Sequence, residues 1–159
     1  MTKHKIAFLA DPPVEDRKSA IIVSVHDARE YLSFAERSAD GGTIYYGEVL
    51  SKIRSADDLL GTATALCRDV DAEGTETVRE LLERAREATK AAFHQGSIAR
   101  SYGDKQDPSS FERKQADKHR GILRRSAEAA KQETHRALAQ LLELFPDAYD
   151  IETDIETDL

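Results

Sequence analysis

The sequence predicts an α+β protein, mainly α, in which a small N-terminal β-β-α-β unit packs on an antiparallel three-helix bundle with one overlong C-terminal helix. Three observations lead to that class. Apolar residues recur with 3,4 spacing along three segments after Gly47, short β-branched runs occupy the region before it, and the hydrophobic period changes from 2 to 3.6 at that point. At 159 residues the chain is one ordinary domain, long enough to bury a core without disulfides or metal.

In the first region, 1–46, Ile6-Ala-Phe-Leu9, Ala20-Ile-Ile-Val-Ser-Val25 and Thr43-Ile-Tyr-Tyr46 read as strands separated by Pro12-Pro13 and by the turn Gly41-Gly42. Ser24 and Asp27 mark the start of a helix over 26–39 whose apolar face is Ala28, Tyr31, Leu32 and Ala35. A unit of this size seldom closes a core alone, so the sheet is expected to lie against the helices.

The second region, 47–145, supplies three helices. Val49, Ile53, Ala56, Leu60, Ala63, Cys67 and Val70 predict one over 47–71, with Gly61 marking a close approach by a neighbour. Thr77 and Glu80 open a second over 76–95, laddered by Val78, Leu81, Ala85, Ala88 and Ala92, and the stretch from Gly96 to Pro108 reads as a loop or frayed end. Ser109 and Glu112 form a capping box that begins a third over 110–145, with the ladder Leu123, Ala127, Ala130, Thr134, Ala137, Leu141 and Leu144. That last helix is roughly 54 Å long against roughly 37 Å for 47–71, so its first turns are expected to overhang or to pack elsewhere.

Charge is unevenly spread. The net charge is −7, and Asp147, Asp150, Glu152, Asp154, Glu156 and Asp158 in the tail 146–159 carry most of it. The tail repeats every four residues, which sets Ile151, Ile155 and Leu159 on one stripe beside Asp154 and Asp158 and suits it to docking in a groove with a basic rim. The opposite charge gathers at Arg113, Lys114, Lys118, Arg120, Arg124 and Arg125, a candidate surface for an anion or an acidic partner.

Other residues offer less. His4, His26, His94, His119 and His135 show no ligand spacing, so no metal or other cofactor is expected. Cys67 sits on a ladder and reads as a core thiol of a reducing compartment, and the N-terminus is too brief in apolar residues for a signal or a membrane span. Arg113 and His119 resemble in their spacing the Arg-x(4–6)-His motif of HEPN-type ribonucleases, which are also helical bundles. The resemblance covers two residues, and Lys114 stands where those motifs carry a polar Asn, Asp or His; what it implies is RNA cleavage dependent on His119.

The function expected from these features is non-enzymatic. The chain reads as a soluble assembly or adaptor subunit acting through protein contacts, with itself or within a larger body such as a virus particle, in the cytoplasm or inside that particle. The alternative is a nucleic-acid regulator that uses 113–125, with the acidic tail as a mimic of phosphate.

Overall fold

The computed structural model describes residues 14–70 and 72–148, and among them every regular element is helical. Helices α1 (Val14–Asp40), α2 (Tyr46–Asp69), α3 (Thr75–Gly103) and α4 (Ser110–Leu144) are followed by one 3-10 turn, Pro146–Ala148. Short connections turn each helix antiparallel to the one before it. In the resulting four-helix bundle α1 and α3 each pack on both α2 and α4.

The expected β-β-α-β unit is thus overturned. Ala20–Val25 lies inside α1, Thr43–Tyr45 connects α1 to α2, and Tyr46 opens α2; Ile6–Leu9 lies outside the described residues. The physical reason is a fourth ladder. Ile21, Val25, Ala28, Leu32, Ala35 and Ala39 are buried at 4,3 spacing and place one stripe of α1 against its neighbours. β-Branched residues weaken a helix by only a few tenths of a kcal/mol each, whereas burying an Ile or Val side chain stabilises by about 1.5–3 kcal/mol. Tertiary burial therefore decides the conformation of the run.

The helices expected over 47–71 and 110–145 are present as α2 and α4 within two residues at each end. α3 differs more. Its buried ladder is Val78, Leu82, Ala85, Thr89, Ala92, Gly96 and Ala99, while Leu81 and Ala88 flank it half-buried. The helix consequently runs through the stretch that reads as a break. Gly96 stays helical because it is the place where α2 and α4 close over α3: a Cβ there would stand 2.8 Å from Leu50 Cδ2 and 3.5 Å from Leu123 Cδ1.

The core runs the length of the bundle. One cluster joins Ile21, Ile22, Val25, Leu32, Leu60, Leu82 and Leu141, and a second joins Ala39, Tyr46, Val49, Ile53, Ala99 and Leu123 at the opposite end. Three buried threonines interrupt the apolar seam without leaving a hydroxyl unsatisfied. Thr64, Thr89 and Thr134 donate to the carbonyls of Leu60, Ala85 and Ala130 at 2.8, 2.6 and 2.7 Å. At Gly61 the approach is made by a side chain: the Arg86 guanidinium lies over it and its Nε donates to Asp57 Oδ1 at 3.1 Å.

Two glycines have opposite roles. Gly74, before α3, has φ +93° and no room for a side chain, since a Cβ would fall 2.7 Å from Leu144 Cδ2. Gly121 is helical, and a Cβ there would meet only Arg125 Nη1 at 3.6 Å. Urea denaturation should therefore show Gly74→Ala less stable than the parent by about 1–3 kcal/mol and Gly121→Ala more stable by up to about 1 kcal/mol.

Candidate functional site

The capping box at the start of α4 is formed as its sequence requires. Ser109 N donates to Glu112 Oε1 at 3.0 Å, and Glu112 N donates to Ser109 Oγ at 3.1 Å. Lys105, from the α3–α4 connection, pairs with Glu112; its hydrogen bond, with that from the Ser109 backbone, holds the Glu112 carboxyl down at about 2. The first turns of α4 do not simply overhang. Ala116 is buried near Gly103 and Tyr46, and His119 is held by Gln95 at 2.6 Å and stacked on Tyr102.

The six basic residues expected to act together separate into two groups. Arg120 occupies the ladder place between Ala116 and Leu123, at the point where α1 stops. There its Nε donates to the Ala39 carbonyl at 2.8 Å and its Nη2 to the Gly41 carbonyl. A guanidinium on the last carbonyls of a helix satisfies acceptors that have no intrahelical donor and opposes the negative end of the helix dipole. Arg124 stands beside Asp40 at 3.8 Å and Glu128 at 3.4 Å. Both residues are thus committed to holding α1 against α4.

Arg113, Lys114, Lys118 and Arg125 are exposed, and none has a carboxylate partner among the described residues. Lys114, Lys118 and Arg125 follow Phe111 at steps of 3, 4 and 7, the spacing of a ladder that faces away from the core. Gly121 falls on the same row. Phe111 is 63% exposed and Tyr45, at the same end of the bundle, 70% exposed; they are the large apolar side chains left open among the described residues. The 3,4 spacing of Phe111 with the lysines is visible in the sequence, but exposure is what gives it meaning.

Arg113 and His119 do not form a site. Six residues apart, they project roughly 120° from each other round the helix, and His119 is already engaged by Gln95 and Tyr102. A hollow of about 530 Å³ lies between α1 and α4. Arg29 Nη1 meets His135 Nδ1 there at 3.3 Å, but Arg29, Lys131 and Arg136 stand beside Glu30, Glu36 and Glu133 at 3.6, 2.6 and 2.9 Å. Its positive charge is locally balanced.

Cys67 is buried in the core cluster, and loss of hydration pushes its thiol up to about 11. It is thereby kept protonated and unreactive. Among the described residues no three His, Cys, Asp or Glu side chains gather as metal ligands, and no helix is long and apolar enough to cross a membrane. The tail residues Ile151, Asp154, Ile155, Asp158 and Leu159, and His4, lie outside the described residues. Comparison with protein families, curated proteins and solved structures gives no match.

Two outcomes follow from the division of the basic residues and from the cap. Arg120→Ala should lower stability by about 1.5–3 kcal/mol in urea denaturation, whereas Arg113→Ala should change it by less than about 0.5 kcal/mol. Because Glu112 is lowered from 4.5 to about 2 on folding, its contribution is complete above pH 4.5 and fades as pH falls through about 2. Glu112→Gln should flatten that part of the acid-denaturation curve.

Proposed function

We propose that the chain is a non-enzymatic binding module that docks an acidic protein segment on the outer face of α4. The observation that carries this reading is the row Phe111, Lys114, Lys118 and Arg125, in which three cations without carboxylate partners among the described residues follow an exposed aromatic ring along one helix face. Exposed rings and basic side chains serve as anchors in protein interfaces, the ring supplying buried area and the cations orientation and selectivity.

Magnitudes favour protein over nucleic acid. A duplex ligand gains most of its affinity from phosphate neutralisation, and the strongly salt-dependent cases make about 6–10 such contacts. The row with Arg113 offers four cations, on a convex helix, within a chain of net charge −7. An acidic peptide with an apolar residue matches the row better. The tail 147–159 has that chemistry, so a second copy is the simplest partner.

Within one chain the tail cannot reach the Phe111 and Lys114 end of the row. From Leu144 back to Lys114 is roughly 45 Å along α4, and residues 149–159 span at most about 39 Å fully extended. A contact between the tail and the Phe111–Lys114 end of the row therefore joins two molecules, head to tail, as in an assembly subunit of the cytoplasm or of a larger particle.

A labelled peptide of residues 147–159 should bind the full chain in fluorescence anisotropy, more weakly at high salt. Lys114→Glu, Lys118→Glu and Arg125→Glu together should abolish that binding while leaving the helical circular dichroism intact. Equal binding by the triple variant would overturn the reading, and preference for a single-stranded or duplex oligonucleotide would replace it with the nucleic-acid one. RNA cleavage that disappears in His119→Ala would replace it with the ribonuclease one.

A further inference from the structure

The groove between α2 and α3 lacks the charge balance of the hollow between α1 and α4. Where Arg86 crosses it, over Gly61, the charge is answered by Asp57 at 3.1 Å. One turn back along α2 the groove opens into a hollow of about 170 Å³, lined by Ile53, Arg54, Asp57, Thr89, Lys90 and Phe93. Its apolar part is Ile53, fully buried, with Phe93, half-buried against the second core cluster. Thr89 brings no free donor, since its hydroxyl is given to the Ala85 carbonyl at 2.6 Å.

Two cations stand at this hollow, one from each helix. The Arg54 guanidinium lies 5.1 Å from the centre of the Phe93 ring, and a guanidinium engaged through its face keeps its in-plane N–H groups for other acceptors. Arg54 and Lys90 are exposed, and among the described residues neither has a carboxylate partner. The acid of the lining, Asp57, is already held by Arg86. Glu83 and Glu87 line an adjoining hollow with Arg86 and Lys90, but neither of them pairs with Lys90. Arg54, Lys90 and Arg86 set against Asp57 therefore leave positive charge in excess beside an aromatic ring.

We infer that this hollow binds a small aryl carboxylate, with its ring on Ile53 and Phe93 and its carboxylate between Arg54 and Lys90. Size agrees with that class of ligand. An apolar cavity of about 150 Å³ takes one benzene ring, and the hollow of about 170 Å³ is open at the rim where the two cations stand. Charge selects within the class. Exposed cations alone hold an anion weakly, so an inorganic anion, which would leave Ile53 and Phe93 bare, gains little here. A neutral ring gains the apolar contact but leaves Arg54 and Lys90 unanswered. A carboxylate on an aromatic ring uses both halves of the site. The inference is independent of what the basic row of α4 binds.

The test adds sodium benzoate to the isotope-labelled full chain and follows the backbone amide resonances. Saturable shifts should gather at residues 53–57 and 89–93, with a dissociation constant in the millimolar range or tighter. Benzamide, which has the ring without the charge, should bind more weakly by roughly tenfold or more. Arg54→Gln with Lys90→Gln should weaken benzoate by a similar roughly tenfold factor, and the helical circular dichroism should stay unchanged because both side chains are exposed. Lys114→Glu, Lys118→Glu and Arg125→Glu together should leave benzoate binding as it is, which separates this site from the face of α4. Shifts that do not saturate, benzamide binding as tight as benzoate, or undiminished binding by the Arg54 and Lys90 variant overturns the inference, as does loss of binding in the α4 variant.

Discussion

Leu50 and Leu123 both close on Gly96 because α3 has no side chain there to hold them off, and this close approach is repeated in milder form along the whole bundle. The ladders are built largely from alanine: Ala28, Ala35 and Ala39 on α1, Ala56 and Ala63 on α2, Ala85, Ala92 and Ala99 on α3, Ala127, Ala130 and Ala137 on α4. Small side chains bring helix axes together and shift the burden of burial onto the few large residues that fill the gaps, among them Ile21, Leu60, Leu82 and Leu141. The side chains at the surface are arranged around this seam. Arg86 can lie over Gly61 and reach Asp57 only because α2 and α3 are close there.

What the sequence reveals follows from the same seam. α2 and α4 are legible because their ladders are long and regular, and the cap at Ser109 is legible because both partners lie within four residues of each other. α1 is legible only in its second half, where Ala28, Leu32 and Ala35 mark a helix over 26–39; Ile21, Ile22 and Val23 favour a strand locally, so the helix is read as starting at 26 instead of at Val14. Alanine and threonine are weak markers of burial, so the ladder of α3 is misplaced onto Leu81 and Ala88 and loses Thr89, Gly96 and Ala99. The basic residues are legible as a group, but their division is not. Whether Arg120 faces solvent or the end of α1 depends on how α4 packs against α1, which local pattern alone does not show.

The division matters for how the charge is to be interpreted. Arg120 and Arg124 are spent on the end of α1 and on acids beside it, and they contribute to holding the fold. Among the described residues no carboxylate pairs with Lys114, Lys118 or Arg125. They stay exposed beside an open aromatic ring, Phe111, along one row of α4.

The three threonines of the seam have a mechanical consequence. Each hydroxyl is satisfied by its own helix, so none of the three ties one helix to another, and the interior offers small, smooth surfaces with no polar key to fix axial register. Register is instead pinned around the seam, by Arg120 on the carbonyls of Ala39 and Gly41, by Arg86 on Asp57, by Lys131 beside Glu36 and by Leu144 against Gly74. The seam thus contributes packing through these three positions, and the polar ties between helices lie at its margins and ends.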